Sequence, residues 1–229
     1  MVYSNGRVYE GQWNNDLKHG KGYELFTNNS YYFGQYIDGK PEGLGTYNYS
    51  NNEKYEGEWQ NGMKHGKGIW TGLKGDSYIG EWINDKADGY GVHTWLNGDR
   101  YEGQFKQCLK HGEGQEKFAN GDTYIGNYTN GKPEGYGEYY WSNGSSFKGN
   151  FLNGLRHGYG TWKKLEKNSD FYEGDYLNDK KWGYGIYLWA SGNKYKGNYF
   201  DDLRHGYGEM YWVEGSSYKG MWERGIQHG

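Results

Sequence analysis

Apolar rings alternate with small or polar residues in short runs, and the runs recur at a fixed interval. Tyr124-Ile125-Gly126-Asn127-Tyr128 places Tyr124, Gly126 and Tyr128 on one face of an extended strand. The segment Thr129–Glu134 then reads as a turn. A second run, Gly135-Tyr136-Gly137-Glu138-Tyr139-Tyr140-Trp141, puts Gly135, Gly137, Tyr139 and Trp141 on one face. Asn143-Gly144 closes the unit with a tight return, because both residue types tolerate positive φ. The unit is a β-hairpin. Rings and glycines share a face, so bare backbone leaves room for neighbouring rings and explains glycine inside strands, where it normally weakens them. The other face is read as mostly Glu, Gln, Lys and Asn, and wet.

The motif aromatic-x-Gly-x-aromatic begins ten times, at Tyr9, Tyr32, Tyr55, Tyr78, Tyr101, Tyr124, Phe147, Tyr172, Tyr195 and Tyr218. The step is 23 residues throughout except from Phe147 to Tyr172, where it is 25. A fixed short period means one supersecondary unit stacked on copies of itself. The expected fold is therefore all-β, an elongated single-layer antiparallel sheet of about ten stacked hairpins. Right-handed twist would curl it into an open trough. The whole chain, 1–229, reads as one such array. The two extra residues fall in a charged loop within 163–170, expected at the surface and a candidate contact for an acidic partner.

Composition narrows the function. An aromatic fraction of 20% in register argues against disorder despite the polar average. A net charge of -3 gives no general attraction to nucleic acid or anionic lipid. The single cysteine, Cys108, excludes an intramolecular disulfide framework and fits a reducing, cytoplasmic setting. It takes a turn place usually held by Gly or Asp. No apolar stretch is long enough to span a bilayer. No nucleophile–base pair stands out, and the carboxylates are dispersed, so no catalytic site is expected. Recurring Gly-x-Gly pairs such as Gly66-Lys67-Gly68 lack phosphate-loop spacing. Six histidines recur at one repeat position, His19, His65, His111, His157, His205 and His228. They are about 19 Å apart when every second repeat carries one, too far to share a metal ion. Neither cofactor nor metal is expected.

Tyr55-Glu56-Gly57-Glu58-Trp59-Gln60-Asn61-Gly62-Met63-Lys64-His65-Gly66-Lys67-Gly68 resembles the consensus of the MORN (membrane occupation and recognition nexus) repeat. The resemblance covers essentially the whole chain and implies an elongated antiparallel sheet acting as a scaffold. The last four copies, with Lys180–Gly185, Ala190–Asn193 and Arg204–Trp212, look most like proteins of the radial-spoke-head type. That resemblance implies a cytoskeletal place in a ciliary or flagellar axoneme. The family name also implies a second reading, an adaptor that binds membrane phosphoinositides. A third is a targeting module of a larger protein.

The first turn alternates between two chemistries. Odd copies carry an apolar residue, a base and His: Leu17-Lys18, Met63-Lys64, Leu109-Lys110, Leu155-Arg156 and Leu203-Arg204. Even copies carry Lys40-Pro41-Glu42, Lys86-Ala87-Asp88 and Lys132-Pro133-Glu134, and the eighth departs with Lys180-Lys181-Trp182. One reading is internal: basic turns beside acidic ones set stacking register. The other is a contact edge on which apolar–basic knobs engage a helical or extended protein segment lying along the trough. Even copies are richer in second-strand rings. Tyr47, Tyr49, Trp95, Tyr139, Trp141, Tyr187, Trp189 and Trp212 are the candidate partner-binding ring face. The interleaved acids Glu42, Asp88 and Glu134 disfavour a lipid surface. Neither end reads as capped, so an open edge covered by another chain or by self-association is expected.

Overall fold

A computed structural model describes residues 1–166 and 169–229; Lys167 and Asn168, in the predicted contact loop, lie outside the described residues. The described residues form two compact units, Met1–Lys110 and His111–Gly229. Both are all-β, and in each the strands pair antiparallel with their chain neighbours in an open single layer.

The sixth hairpin, Thr123–Thr129 with Lys132–Tyr140, shows how the sequence dictates the unit. Its turn is only two residues long, Asn130 (φ 50°) and Gly131 (φ 83°). Two consecutive positive φ values are the geometry whose twist matches a right-handed hairpin. The corresponding pairs in the other nine hairpins, from Asn15-Asp16 to Arg224-Gly225, share that sign. Cys108 is one of them, at φ 69°, beside Gln107 at 49°.

The residues after the turn therefore belong to the second strand, not to the longer turn predicted from the sequence. Thr129 pairs with Lys132 and Tyr128 with Pro133; the register then shifts, and Gly126 faces Gly137. The two glycines of the Gly-x-Gly pair thereby have different tasks. Gly135 sits in the shifted segment at φ 73°, a left-handed conformation that a side chain would strain. Gly137 lies under the Tyr124 ring, where an added Cβ would come within 2.4 Å of the phenolic oxygen.

Each first ring thus lies flat on its own hairpin, and all but Phe147 carry a hydroxyl that donates to the carbonyl three residues on, as Tyr124 does to Asn127 at 3.1 Å. Rings of successive hairpins then meet edge to face. In the first unit the row runs from Tyr9 through Tyr36, Tyr32, Trp59, Tyr55, Trp82 and Tyr78 to Phe105, with neighbouring centroids 5.1–5.4 Å apart. In the second it runs from Tyr128 through Tyr124, Phe151, Phe147, Tyr176, Tyr172, Tyr199 and Tyr195 to Trp222. This T-shaped geometry sets the positive ring edge against the negative face. It builds a core without a second layer: Tyr9, Tyr32, Tyr55, Tyr101, Tyr124, Phe147 and Tyr195 are wholly buried.

Candidate functional site

Strand alternation separates the residues that the sequence reading joined into knobs. Leu17, Leu109, Leu155 and Leu203 are exposed, and Met63 is half-buried. The following base points the other way, onto the ring row. The Lys18 ammonium lies 5.3 Å from the Tyr9 ring centroid and 5.4 Å from that of Tyr36. Lys64 covers Tyr55 and Trp82, and Lys110 covers Tyr101 and Trp95. Arg156 covers Phe147, Tyr176 and Trp141, and Arg204 covers Tyr195 and Trp222, the last at 4.2 Å. Each base closes two hairpins with a cation–π contact. Burial pushes the Lys64 ammonium below its usual range despite the Asp85 carboxylate nearby.

The odd–even alternation has a local physical cause. Where odd copies place a base, even copies place the small apolar Pro41, Ala87 and Pro133. The acid that follows, Glu42, Asp88 or Glu134, accepts the N–H of the next turn, from Asn61 (2.8 Å), Gln107 (3.1 Å) or Asn153 (2.8 Å). Reciprocally, Asp85 and Asp179 accept the N–H of Lys64 and Arg156 in the preceding copy. Backbone bonds complete the lock: Gly39 N–H donates to the Lys18 carbonyl, Gly62 to Pro41, Asp179 to Arg156 and Gly225 to Arg204. The eighth copy follows the odd pattern instead: Lys181 lies over Tyr172, Tyr187 and Tyr199, its N–H donates to Asp202 (2.9 Å), and Trp182 takes the place of the acid.

The predicted ring face forms a second, half-buried tier beside the core row. Tyr47 and Tyr49 meet at 4.7 Å, Tyr139 and Trp141 at 4.7 Å, and Tyr187 and Trp189 at 4.5 Å; Trp95 stacks on His93 at 4.2 Å. Hydroxyls in this tier are tied down. Tyr139 donates to Asp122 (2.8 Å) and Tyr187 to Asp170 (3.2 Å), while Tyr47 bonds the Ser30 hydroxyl (2.7 Å). His93 reaches Asp76 in the same way at 2.8 Å. Burial raises the Tyr49 and Tyr187 hydroxyls to about 12. Trp212 is half-buried as well.

The turn edge holds more apolar surface than the leucines alone. Leu152 pairs across its turn with Leu155, and Phe200 with Leu203. All four are exposed, and Trp182 packs on Phe200 at 4.5 Å. These partners of the leucines went unread because the last strand residue before the turn varies freely, from Asn14 and Gln60 to Ile37 and Ile83.

The face opposite the rings is not uniformly polar. In the first unit Ile69 pairs with Ile79 and Ile79 with Val92, and these residues line a cleft of about 570 Å³ with Tyr90. In the second unit the same face carries Tyr136, Tyr159, Tyr184 and Tyr207 in four successive hairpins. Among the described residues, no three His, Cys, Asp or Glu side chains group as metal ligands, and no helix is long and apolar enough to cross a membrane.

The MORN repeat profile matches residues 9–31, 32–54, 55–77, 78–100, 101–123, 124–146, 147–164, 172–194, 195–217 and 218–229. No curated protein matches the chain. Among solved structures, the chain is similar to the TCP10 domain of Danio rerio CPAP in complex with a peptide of Danio rerio STIL. Identity is 11%, 94% of this chain and 99% of that one are covered, and the TM-score is 0.45. It is also similar to the SAS-4 (dCPAP) TCP domain of Drosophila melanogaster in complex with a proline-rich motif of Ana2 (dSTIL). There, identity is 14%, coverage is 71% and 80%, and the TM-score is 0.40.

Proposed function

We propose that this chain, which belongs to the MORN-repeat family, is a non-enzymatic scaffold that holds protein partners within a cytoskeletal assembly, in a ciliary or flagellar axoneme. The observation that carries the reading is the turn edge. Leu155, Leu203, Leu152, Phe200 and Trp182 are held in the open by strands whose polar backbone is already satisfied. Contiguous exposed apolar side chains of this kind mark interaction surfaces. The edge repeats, so contacts that are weak one by one add through multivalency.

The phosphoinositide reading gains no support from the bases. Lys18, Lys64, Lys110, Arg156 and Arg204 lie over rings, and their neighbouring acids cap turns. A lipid surface needs cations that face outward together.

Affinity capture from native cells tests the proposal, using the unchanged chain and a variant with Leu17, Leu109, Leu155 and Leu203 changed to Asp. Axonemal or other cytoskeletal proteins captured by the first and lost from the second are the expected result. Membrane components in their place would replace the scaffold by the adaptor.

A further inference from the structure

The face opposite the ring row in the second unit carries a ladder that the scaffold reading leaves unused. Tyr136, Tyr159, Tyr184 and Tyr207 are 55%, 53%, 55% and 52% exposed, whereas Tyr124 of the ring row is 0% exposed. All four occupy the place between the two glycines of the Gly-x-Gly pair, so the backbone presents them in one row. They pair across strands with Asn150, Asp175, Asn198 and Met221. Tyr136 and Tyr159 stand as walls of a slot of about 520 Å³, with Gly149 and Asn150 between them. The hydroxyls of Tyr136, Tyr184 and Tyr207 have no hydrogen-bond partner among the described residues, and Tyr159 donates to Glu173.

Spacing selects the occupant. Two strands per hairpin put successive tyrosines about 9.6 Å apart. A polyproline II helix repeats every three residues, or about 9.3 Å, and stays within about 1 Å of the ladder over all four rings. An α-helix places seven residues in about 10.5 Å and falls out of step by nearly 3 Å over the same span. A β-strand laid across the ladder shows one face every ~6.7 Å and does not match.

Chemistry agrees with the spacing. Prolyl rings are rigid and apolar, so they enter slots between upright tyrosines at little entropic loss. A polyproline II backbone makes no internal hydrogen bonds, so its carbonyls are open to the tyrosine hydroxyls and the Asn150 and Asn198 amides. Charges are left over on this face: among the described residues Glu173 has no cation paired to it, and Lys163, which lines the slot, has no acid. The Asp175 carboxylate lies opposite Tyr159, next to Glu173, with no cation paired to it among the described residues. A basic residue on the ligand complements it.

We propose that Tyr136, Tyr159, Tyr184 and Tyr207 bind a proline-rich protein segment in the polyproline II conformation, with an Arg or Lys of that segment paired to Asp175. The proposal rests on the interaction reading above but uses a surface separate from the leucine edge.

Fluorescence anisotropy on the full chain tests it, with a labelled dodecameric Pro-Pro-Arg repeat, a Gly-Ser-Arg repeat of equal charge and a neutral Pro-Pro-Gln repeat. The first should bind about tenfold tighter than the second, since only the rigid rings differ. Tyr159→Ala with Tyr184→Ala should weaken it about tenfold, with circular dichroism unchanged. Tyr159→Thr with Tyr184→Thr, which keeps strand propensity, gives the same test should alanine unfold the protein. Asp175→Asn should weaken Pro-Pro-Arg about threefold and leave Pro-Pro-Gln untouched. Equal affinity for the Pro-Pro-Arg and Gly-Ser-Arg repeats overturns the proposal. So does indifference to the tyrosine changes, or displacement of the peptide by a soluble β-1,4-linked glucose oligomer, which an aromatic row could also stack. The leucine-to-Asp variant should bind the peptide unchanged, so the two surfaces fail or stand separately.

Discussion

Each of the two units carries a ring row of the same kind, yet their opposite faces diverge. Residues 1–110 present Ile69, Ile79 and Val92 with Phe33 and Leu44, whereas residues 111–229 present four tyrosines in line. On the ring side almost every place is fixed by contact with the adjacent hairpin. On the other side the same backbone accepts lysine, leucine or tyrosine, as at Lys21, Leu44, Lys67 and Tyr90. A single-layer repeat keeps its fold on one face and is free to specialise on the other.

The sharpest way to break that comparison is to truncate one tyrosine from each face. Tyr124→Ala removes a wholly buried ring and should destabilise the second unit by about 3–5 kcal/mol in denaturant titration. Tyr136→Ala, next to the core glycine Gly137 but exposed on the other face, should change stability by no more than about 0.5 kcal/mol. Comparable losses would mean that the two faces are not divided as described.

Alkaline titration gives a second, global test. Burial raises the Tyr49, Tyr187 and Tyr195 hydroxyls to about 12 and holds other ring-row phenols, among them Tyr32 and Tyr172, higher still. A folded value above the unfolded one, near 10, means the folded state keeps protons that the unfolded chain releases. That stability is present in full below about pH 10 and lost as pH rises toward 12. Lys64 and Lys181, lowered by burial, work in the opposite sense but are far fewer. The Tm should therefore fall steeply above about pH 10, and a Tm flat to pH 12 would contradict a buried phenol row.

A further expected effect is a gain. Gln107 and Cys108 occupy a turn where both φ values are positive, at 49° and 69°. Asn-Gly in their place should raise stability by about 1 kcal/mol, read as a higher Tm.

The period, the hairpins and the ring face were legible because the constraint is repeated ten times: a ring, a glycine two residues on, and a second ring. The length of the turn was not, because Lys132-Pro133-Glu134 is polar and contains proline. Those features signal a loop until the register shift after the turn is seen. The bases misled for a related reason. A long side chain lets Lys18 lie across two rings and Arg156 across three. The tyrosine ladder was hidden within the Gly-x-Gly pair, where Tyr136 and Tyr159 stand in the place of Lys21 and Lys67 and so looked interchangeable with them.

The lock between copies reaches one copy and no further: a turn N–H on the carbonyl before it, one base over two rings. Under tension applied at the ends of either unit, such a structure has no shared core to rupture at once. It yields a hairpin at a time, each releasing about 70 Å of slack, the extended length of its 23 residues less the ~10 Å the folded hairpin spans. Such an array is less a girder than a set of serial fuses, lengthening in steps under load and rezipping when the load drops.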